Sequence, residues 1–204
     1  MFIPEEFEFN DKNEIIAFIK QYSFGMLVSS VADALLATHL PFHIRARDEQ
    51  TILTGHMAIA NEQWKNIDGK TVMAIFSQPN AYISPAHYKK LLNVPTWNYI
   101  AVHVYGTFRI INQQDKGMEI LEQMILQNEP GYKLQWDELP DDYKTRLYRE
   151  IIPFEISITD IKATAKLSQN KTETERKNII EALAASGDCL QTDIASFMKK
   201  ACPY

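Results

Sequence analysis

Histidine and tryptophan side chains concentrate in one part of this 204-residue chain. All five histidines lie between residues 36 and 106, and so do Trp64 and Trp97, two of the three tryptophans. They stand in apolar runs typical of β-strands. Such rings are expected there when a sheet binds a ligand in addition to forming a core. Imidazole and small polar groups can hydrogen-bond the edge of a planar ligand, and aromatic side chains can stack on its faces.

Two of the predicted strands carry these groups on one face. From residue 36 to 47, period-two alternation sets Leu36, Thr38, Leu40, Phe42 and Ile44 against His39, His43, Arg45 and Arg47. From residue 99 to 109, it sets Ile100, Val102, Val104 and Phe108 against Tyr99, His103, Tyr105, Thr107 and Arg109. A solvated face favours Lys, Glu and Thr, whereas Tyr, His and Arg are typical of interfaces and ligand sites. We interpret this polar wall as a ligand or interface surface.

Several kinds of chemistry have no support in the sequence. His39 and His43 are four residues apart, but Pro41 excludes a helix between them. Four residues of strand span about 13 Å, too far for one metal ion. The chain has no HExxH or CxxC pair, no Gly-x-Ser-x-Gly elbow and no Gly-rich phosphate loop. We therefore predict no metal site and assign no catalytic residue.

Composition predicts a cytoplasmic globular protein. The chain is 46% hydrophobic and 23% charged, without an apolar run long enough to span a membrane and without the basic start of a signal peptide. Cys189 and Cys202 are too few for a disulfide framework. The net charge of −5 does not support DNA binding, although a DNA or protein partner stays open. Residues 176–200 only vaguely resemble a helix-turn-helix, so we interpret them as helices that pack on the rest of the fold.

The predicted elements define the fold class. Asp11 and Glu14 form a capping box for a helix over 11–24, and Thr172 and Glu175 form another for a helix over 173–186. Further helices are predicted at 58–66, 85–91, 115–128, 140–150 and 193–200. Strands are predicted at 25–30, 34–46, 51–56, 71–77, 80–84, 98–111, 152–159 and 161–166, with turns that include Asp33 and Asp48-Glu49. This predicts an α+β fold dominated by β, a barrel or sandwich, with a domain at 1–166 and a C-terminal helical appendage at 167–204.

Small polar donors stand beside aromatic groups in several of these segments, as in Thr54-Gly55-His56-Met57 and Pro95-Thr96-Trp97-Asn98-Tyr99. Such a set suits a planar, hydrogen-bonding, phosphorylated ligand, with Lys or Arg left for the phosphate. Flavin mononucleotide (FMN) fits this description.

The same segments resemble the PaiB-type family, FMN-binding split-barrel proteins described as negative transcriptional regulators. The motifs that carry the resemblance are Met1 to Pro4, Ser23-Phe24-Gly25, Ala37-Thr38-His39-Leu40-Pro41-Phe42, Leu53-Thr54-Gly55-His56-Met57-Ala58, Ala60-Asn61-x-Gln63-Trp64-Lys65, Ala81-Tyr82-Ile83-Ser84-Pro85, Val94-Pro95-Thr96-Trp97-Asn98-Tyr99, Val102-His103-x-Tyr105-Gly106 and Lys166-Leu167-Ser168-Gln169-Asn170. They run in order along nearly the whole chain.

The resemblance implies a split β-barrel with flanking helices, a homodimer and FMN sites at the subunit interface. Carried over motif by motif, the residues expected to bind FMN are Thr38, His39, Leu40, Thr54, His56, Met57, Asn61 and Lys65, with Trp97, Asn98 and His103 as candidates from the partner subunit. Two positions depart from the family pattern: Ile59 stands where the family often has Arg, and Ser77-Gln78-Pro79-Asn80 replaces a Gly-Pro-His sequence.

Three functions follow as hypotheses. The first is an FMN-binding (negative) transcriptional regulator. The second is an FMN-dependent oxidoreductase that acts on a small molecule, and the third is a dimeric interaction protein that has lost the cofactor, to which Ile59 lends weight. The segment Lys166–Asn170 either reaches a ligand phosphate or satisfies backbone groups ahead of the next helix.

Overall fold

The structure is a computed structural model that describes residues 1–31, 34–47, 50–90 and 92–201. The predicted turn residues Asp33, Asp48 and Glu49, together with Cys202, lie outside the described residues. The chain forms two compact units. The terminal unit contains Met1–Ile15, Ser77–Val102 and the residues from Lys162 onward, and the barrel unit contains Ile16–Phe76 and His103–Ile161. The division at residue 166 stays a prediction.

Eight strands and six α-helices make up the described part of the chain, which confirms the α+β class. The helices are α1 Lys12–Gln21, α2 Gln114–Asn128, α3 Tyr132–Glu138, α4 Asp141–Tyr148, α5 Glu173–Ala184 and α6 Cys189–Ala201. The strands are β1 Phe24–Val31, β2 Ala34–Pro41, β3 His43–Arg47, β4 Gln50–Ala58, β5 Thr71–Phe76, β6 Asn80–Ile83, β7 Thr96–Ile110 and β8 Ile151–Lys166. Short 3-10 helices occupy Glu5–Phe7, Glu62–Asn66 and Pro85–His87.

Several predicted elements differ from those observed. The helices predicted at 58–66 and 85–91 are short 3-10 helices at Glu62–Asn66 and Pro85–His87. The strand predicted over 34–46 is two strands, because the chain changes pairing partner at Phe42: β2 pairs with β1, and β3 pairs with β4. The strands predicted at 152–159 and 161–166 are one continuous strand, β8. Helix α3 was not predicted, because its seven residues follow Pro130-Gly131 and carry too few apolar side chains for a helical stripe.

The strand order closes the sheet of the barrel unit. The order is β2-β1-β5-β7-β8-β4-β3, so β2 and β3 stand at opposite ends although Phe42 alone separates them in the chain. The sheet must therefore curl until its two ends meet. Gly55 marks this closure, since a Cβ there would lie 3.2 Å from the carbonyl oxygen of Pro41 and 2.9 Å from the ring of Phe154. A larger residue would separate strands that have to touch.

Four phenylalanines fill the interior of the barrel unit. Phe42, Phe76, Phe108 and Phe154 are all buried, and they come from different parts of the sheet. Phe42 meets the rings of Phe76 and Phe154 edge-on at 5.5 and 6.1 Å, and Phe108 stacks on Phe154 at 4.8 Å. Such aromatic pairs stabilise a core beyond the area that they bury. Of the face predicted as apolar from Leu36 to Ile44, Leu40, Phe42 and Ile44 are buried in the core, whereas Leu36 is exposed.

The terminal unit pairs a short hairpin with two helices. β6 pairs with the first residues of β7, from Thr96 to Tyr99, and α6 packs on β6. The predicted capping box of α5 is present: Thr172 Oγ1 accepts from the Glu175 N–H, and the Glu175 carboxylate accepts from the Thr172 N–H. At the other cap, Asp11 Oδ1 accepts from the N–H of Glu14 at 2.9 Å. No helix in the described ranges is both long and apolar enough to cross a membrane.

Candidate functional site

Buried polar atoms without partners concentrate on one surface of the barrel unit. Six buried side-chain atoms of the described residues lack a hydrogen-bond partner, and four of them belong to His43, Arg45, His56 and Gln127. Buried polar groups in folded proteins almost always have a partner in the protein, in water or in a ligand. A cluster of exceptions therefore indicates where a polar ligand or ordered water completes the structure.

Strand pairing explains why these side chains meet. His43 on β3 lies directly opposite Thr54 on β4, and His56 follows Thr54 by two residues, so all three point to the same side of the sheet. Helix α2 covers that side: Arg45 Nη1 donates to Glu119 Oε1 at 3.0 Å, and Gln127 Nε2 donates to the carbonyl of Phe42 at 3.5 Å. We call this surface, formed by His43, Arg45, Thr54, His56 and Gln127, the orphan face.

The electrostatics of the orphan face favour neutral imidazoles beside positive charge. Burial lowers the pKa of His43, and the charges of Arg45 and Lys20 lower it further. Burial also lowers the pKa of His56. Both rings are therefore neutral at pH 7, and each can donate one hydrogen bond and accept one. Lys20 has no carboxylate within ion-pair distance in the described part of the chain, so its charge is available to an anion.

Two of the predicted FMN residues, Thr38 and Asn61, belong to a hydrogen-bond network that the chain completes by itself. Thr38 Oγ1 donates to Gln63 Oε1 at 2.6 Å and accepts from Asn61 Nδ2 at 2.9 Å. Gln63 Nε2 donates to Ser29 Oγ at 2.9 Å and to the carbonyl of Leu27 at 3.2 Å. This network, which we call the Gln63 network, fastens the 3-10 helix Glu62–Asn66 to β1 and β2.

The other predicted residues of the barrel unit have varied surroundings. His39 is exposed and stacks on the equally exposed Phe24, with ring centroids 6.3 Å apart. Leu40 and Met57 are buried in the core, and Lys65 forms an ion pair with Glu62 at 2.6 Å. His103 on β7 is partly buried, which lowers its pKa. The structure thus gathers Thr54 and His56 with His43, joins Thr38 to Asn61, and leaves His39 on an outer surface.

Trp97 and Asn98 lie in the terminal unit. Trp97 is half-exposed and meets Tyr82 edge-on at 5.7 Å. Asn98 is fully buried, where it donates to the sulfur of Met198 at 3.5 Å and accepts from Ser168 Oγ at 3.1 Å. Their role in binding FMN across a subunit interface stays a prediction.

Hydrogen bonds within the terminal unit hold the segment Lys166–Asn170 in place. Gln169 accepts from the Leu167 N–H at 2.7 Å and donates to the carbonyl of Ala165 at 2.5 Å. Lys166 Nζ donates to Thr96 Oγ1 at 2.6 Å. Of the two readings of this motif, the observed bonds of Gln169 match the satisfaction of backbone groups ahead of α5.

Comparison with known proteins identifies the family. The family model described as "putative FMN-binding domain" matches residues 1–160. The chain belongs to this FMN-binding family. It is 36% identical over 189 residues to protease synthase and sporulation protein PAI 2 of Bacillus subtilis strain 168, which covers 90% of this chain and 89% of that protein. The PaiB-type resemblance is thereby confirmed, and FMN is the cofactor that the family implies.

More distant matches support the same fold. An uncharacterized protein of Emericella nidulans, AN0679, is 26% identical over 225 residues, covering 89% of this chain and 90% of that protein. The flavocytochrome Anf3 of Azotobacter vinelandii has a TM-score of 0.62 at 14% identity, over 78% of this chain and 69% of its own. The FAD and heme binding protein of Mycobacterium smegmatis has a TM-score of 0.62 at 11% identity, over 89% of this chain and 80% of its own. The predicted split-barrel fold is confirmed.

Sequence reasoning missed four residues of the orphan face and its surroundings. His43 and Arg45 belong to the predicted polar wall but not to the predicted FMN residues, although their alternation on one face was a usable signal. Lys20 lies on α1 and Gln127 on α2, and neither has a motif or a spacing that connects it with β3. Only tertiary packing brings these two residues to the strand.

Proposed function

We propose that this FMN-binding, PaiB-type protein is a cytoplasmic, homodimeric regulator. We place its cofactor on the part of the orphan face formed by His43, Arg45 and Gln127, beside Lys20. The observation that carries the proposal is the coincidence of unpartnered polar atoms with the positive charge of Lys20, which no carboxylate of the described residues neutralises. His43 and Gln127 offer unsatisfied groups, and Lys20 and Arg45 lie close enough to His43 to lower its pKa.

The residues present fit FMN in both of its polar parts. The ring edge of FMN has hydrogen-bond acceptors and an N–H donor, which neutral His43 and the Oε1 of Gln127 can complement. The phosphate is a dianion, and Lys20 supplies a cation free of any carboxylate in the described ranges. When bound, FMN supplies a redox-active ring to the site.

A regulatory role is supported by how the site is covered. Helix α2 is held against β3 by the Arg45–Glu119 pair and the Gln127–Phe42 hydrogen bond. A ligand that hydrogen-bonds Gln127 would change how this end of α2 is fixed. Cofactor occupancy can therefore alter a helical surface to which a partner binds. The name of the Bacillus relative, which refers to protease synthase and sporulation, agrees with regulation of gene expression.

The outer side of the sheet supports the homodimer. Strand register aligns Met26 with His39 and Ile75, and Val28 with Ala37 and Met73. None of these six side chains is buried in the single chain. Five of the six are apolar, and together they form a surface that we call the outer face. A stable interface buries about 800 Å² per partner around an apolar centre, and a second copy of this chain would supply a matching surface.

The test is a titration of purified protein with FMN, followed by desalting and an absorption spectrum. Wild-type protein is expected to retain about one equivalent per chain. Lys20→Ala is expected to weaken binding about tenfold to a hundredfold, because it removes a charge-assisted contact. Lys70→Ala, which removes an exposed lysine of the same unit, is expected to bind like wild type. Wild-type protein that retains no flavin would overturn the cofactor role, and unchanged affinity in Lys20→Ala would place the phosphate elsewhere.

The regulatory role needs a separate measurement. Transcript levels are compared between the wild-type strain, a deletion strain and a strain that carries Lys20→Ala. A regulator that depends on FMN predicts the same set of altered transcripts in the two mutant strains. The alternative, an oxidoreductase, predicts two other results. The purified protein would rapidly reduce an added electron acceptor with NADH or NADPH, and neither mutant strain would show a transcript change.

A further inference from the structure

A cavity of about 360 Å³ lies between β4 and the helices α2 and α3 of the barrel unit. Its walls include the apolar side chains of Leu121, Met124 and Ile125 from α2 and the rings of Tyr132 and Trp136 from α3. The ring of His56 lines it from β4. This size is at the lower end of the range of small-molecule sites, which are typically apolar with a few polar groups.

The cavity is a built feature of the helical cover. Trp136 Nε1 donates to Glu122 Oε1 at 3.3 Å, and Lys133 forms an ion pair with the same carboxylate at 3.9 Å. These contacts fasten α3 to α2, so the ring of Trp136 has a fixed position on the wall. The wall that α2 and α3 provide is mainly apolar, so water against it has few polar partners.

The polar side chains on the cavity wall are those of His56, Asn128, Glu129 and Tyr132, and His56 is the one with a buried atom that lacks a partner. Neither of its ring nitrogens has a hydrogen-bond partner in the described part of the chain, and Nδ1 is fully buried. The ring is neutral at pH 7 because burial lowers its pKa. A ligand with one hydroxyl or N–H group beside His56 can hydrogen-bond the imidazole, which a hydrocarbon could not do.

Charge excludes phosphorylated ligands from this cavity. Among the described residues that line it, Glu129 has the only formal charge, and it is negative. Binding an anion here would desolvate it without a cation to compensate. The phosphate of FMN belongs instead near Lys20 and His43, where the charges are positive.

We infer that the cavity lined by His56 and Trp136 is a second ligand site, which takes a small uncharged aromatic molecule with one hydrogen-bonding group. The apolar and aromatic walls match the ring, and the unpartnered imidazole matches the polar group. This site is separate from the one proposed for FMN, so His56 serves this ligand rather than the cofactor.

The experiment is an NMR titration of the full chain, saturated with FMN, that follows the Trp136 indole N–H. The probes are p-cresol, toluene and 4-hydroxybenzoate. We expect p-cresol to bind roughly tenfold more tightly than toluene, because of the hydrogen bond to His56. We expect no binding of 4-hydroxybenzoate, which is an anion. Equal affinity for p-cresol and toluene, or tighter binding of 4-hydroxybenzoate, would overturn the assigned ligand class.

Two pairs of variants locate the binding. Ile125→Trp fills the cavity and should abolish binding of p-cresol, whereas Leu126→Trp, at an exposed neighbour on α2 outside the lining, should not. His56→Phe keeps a ring but removes the polar atoms, so p-cresol should lose its advantage over toluene. Binding that survives in Ile125→Trp would contradict the location.

The wild-type titration also separates the two sites. It is repeated on flavin-free protein, where p-cresol should bind with the same affinity. Competition between p-cresol and FMN would show that the cavity is part of the flavin site and would overturn a second site. If the protein binds no FMN at all, p-cresol is still expected to bind, so failure of the flavin proposal and failure of this inference are distinguishable.

Discussion

Partly buried histidines give this protein a stability that depends on pH. Burial lowers the pKa of His43, His56 and His103 from the ordinary value. In the unfolded chain these histidines take up a proton near pH 6.5, whereas in the native chain they do so only at lower pH. The stabilisation of the native state relative to the unfolded state is complete above about pH 6.5, and it is lost as pH falls through the native pKa values.

We therefore predict that the urea concentration at the midpoint of unfolding decreases when the pH is lowered from 7.5 to 5.5. The triple variant His43→Gln, His56→Gln, His103→Gln should show a smaller fall over the same window, since it has lost the three titrating groups. Glu175 also has a lowered pKa, from its hydrogen bonds with Thr172, but it acts in the more acidic range of carboxylates. An equal fall in the variant and in the wild type would show that other groups cause the pH dependence.

At the scale of elements, the Gln63 network decides how the 3-10 helix Glu62–Asn66 is fixed. Gln63 is 3% exposed, and its amide reaches β1 and β2 at the same time. The substitution Gln63→Leu would keep the size of the side chain and remove all of its hydrogen bonds. Thr38 and Ser29 would then lose a partner.

We predict that Gln63→Leu lowers the free energy of unfolding by at least about 2 kcal/mol, since each buried partner left unsatisfied costs about 1–3 kcal/mol. The measurement is urea denaturation at pH 7.5. Glu62→Gln is the matched control on the same helix, where an exposed ion pair with Lys65 is lost with little effect. A stability of Gln63→Leu equal to that of the control would mean that the network does not hold the helix.

Elements were predictable where the local pattern agreed with the tertiary environment. The capping residues Asp11 and Thr172 and the alternation along β7 each act through neighbours in the sequence, so they were readable. The division of one predicted strand at Phe42 could not be predicted from the sequence. It depends on the choice of partner strands, which is a long-range property.

For the whole molecule, the outer face is the surface on which the proposed dimer depends. Ile75 lies on β5, paired with Met26 on the central strand β1, and is not buried by the single chain. A lysine there would place a charge within a desolvated interface. We predict that Ile75→Lys sediments as a monomer at concentrations where the wild type sediments as a dimer.

The control for this prediction is Leu147→Lys, which replaces an exposed leucine on α4, away from the outer face. It should sediment like the wild type. Sedimentation velocity at several concentrations distinguishes the two species. A monomeric wild type, or a dimer that survives Ile75→Lys, would exclude the outer face as the interface.

The sequence by itself determined the family, the α+β class, and most strands and helices, and it predicted the region in which a ligand binds. It could do so because alternation, caps and ordered motifs are local properties, and because His, Trp and small polar residues in strands have a chemical meaning wherever they occur. Motif matching also named Thr38 and Asn61, although it could not reveal that their side chains bind each other and Gln63.

Only the tertiary structure decided which polar groups are left without partners. Whether His43 is solvated or buried depends on α2, which follows it by about seventy residues in the chain. Lys20 and Gln127 approach β3 for the same reason. The hydrogen-bonding state of a side chain is set by whatever packs over it, and no periodicity in the strand itself contains that information.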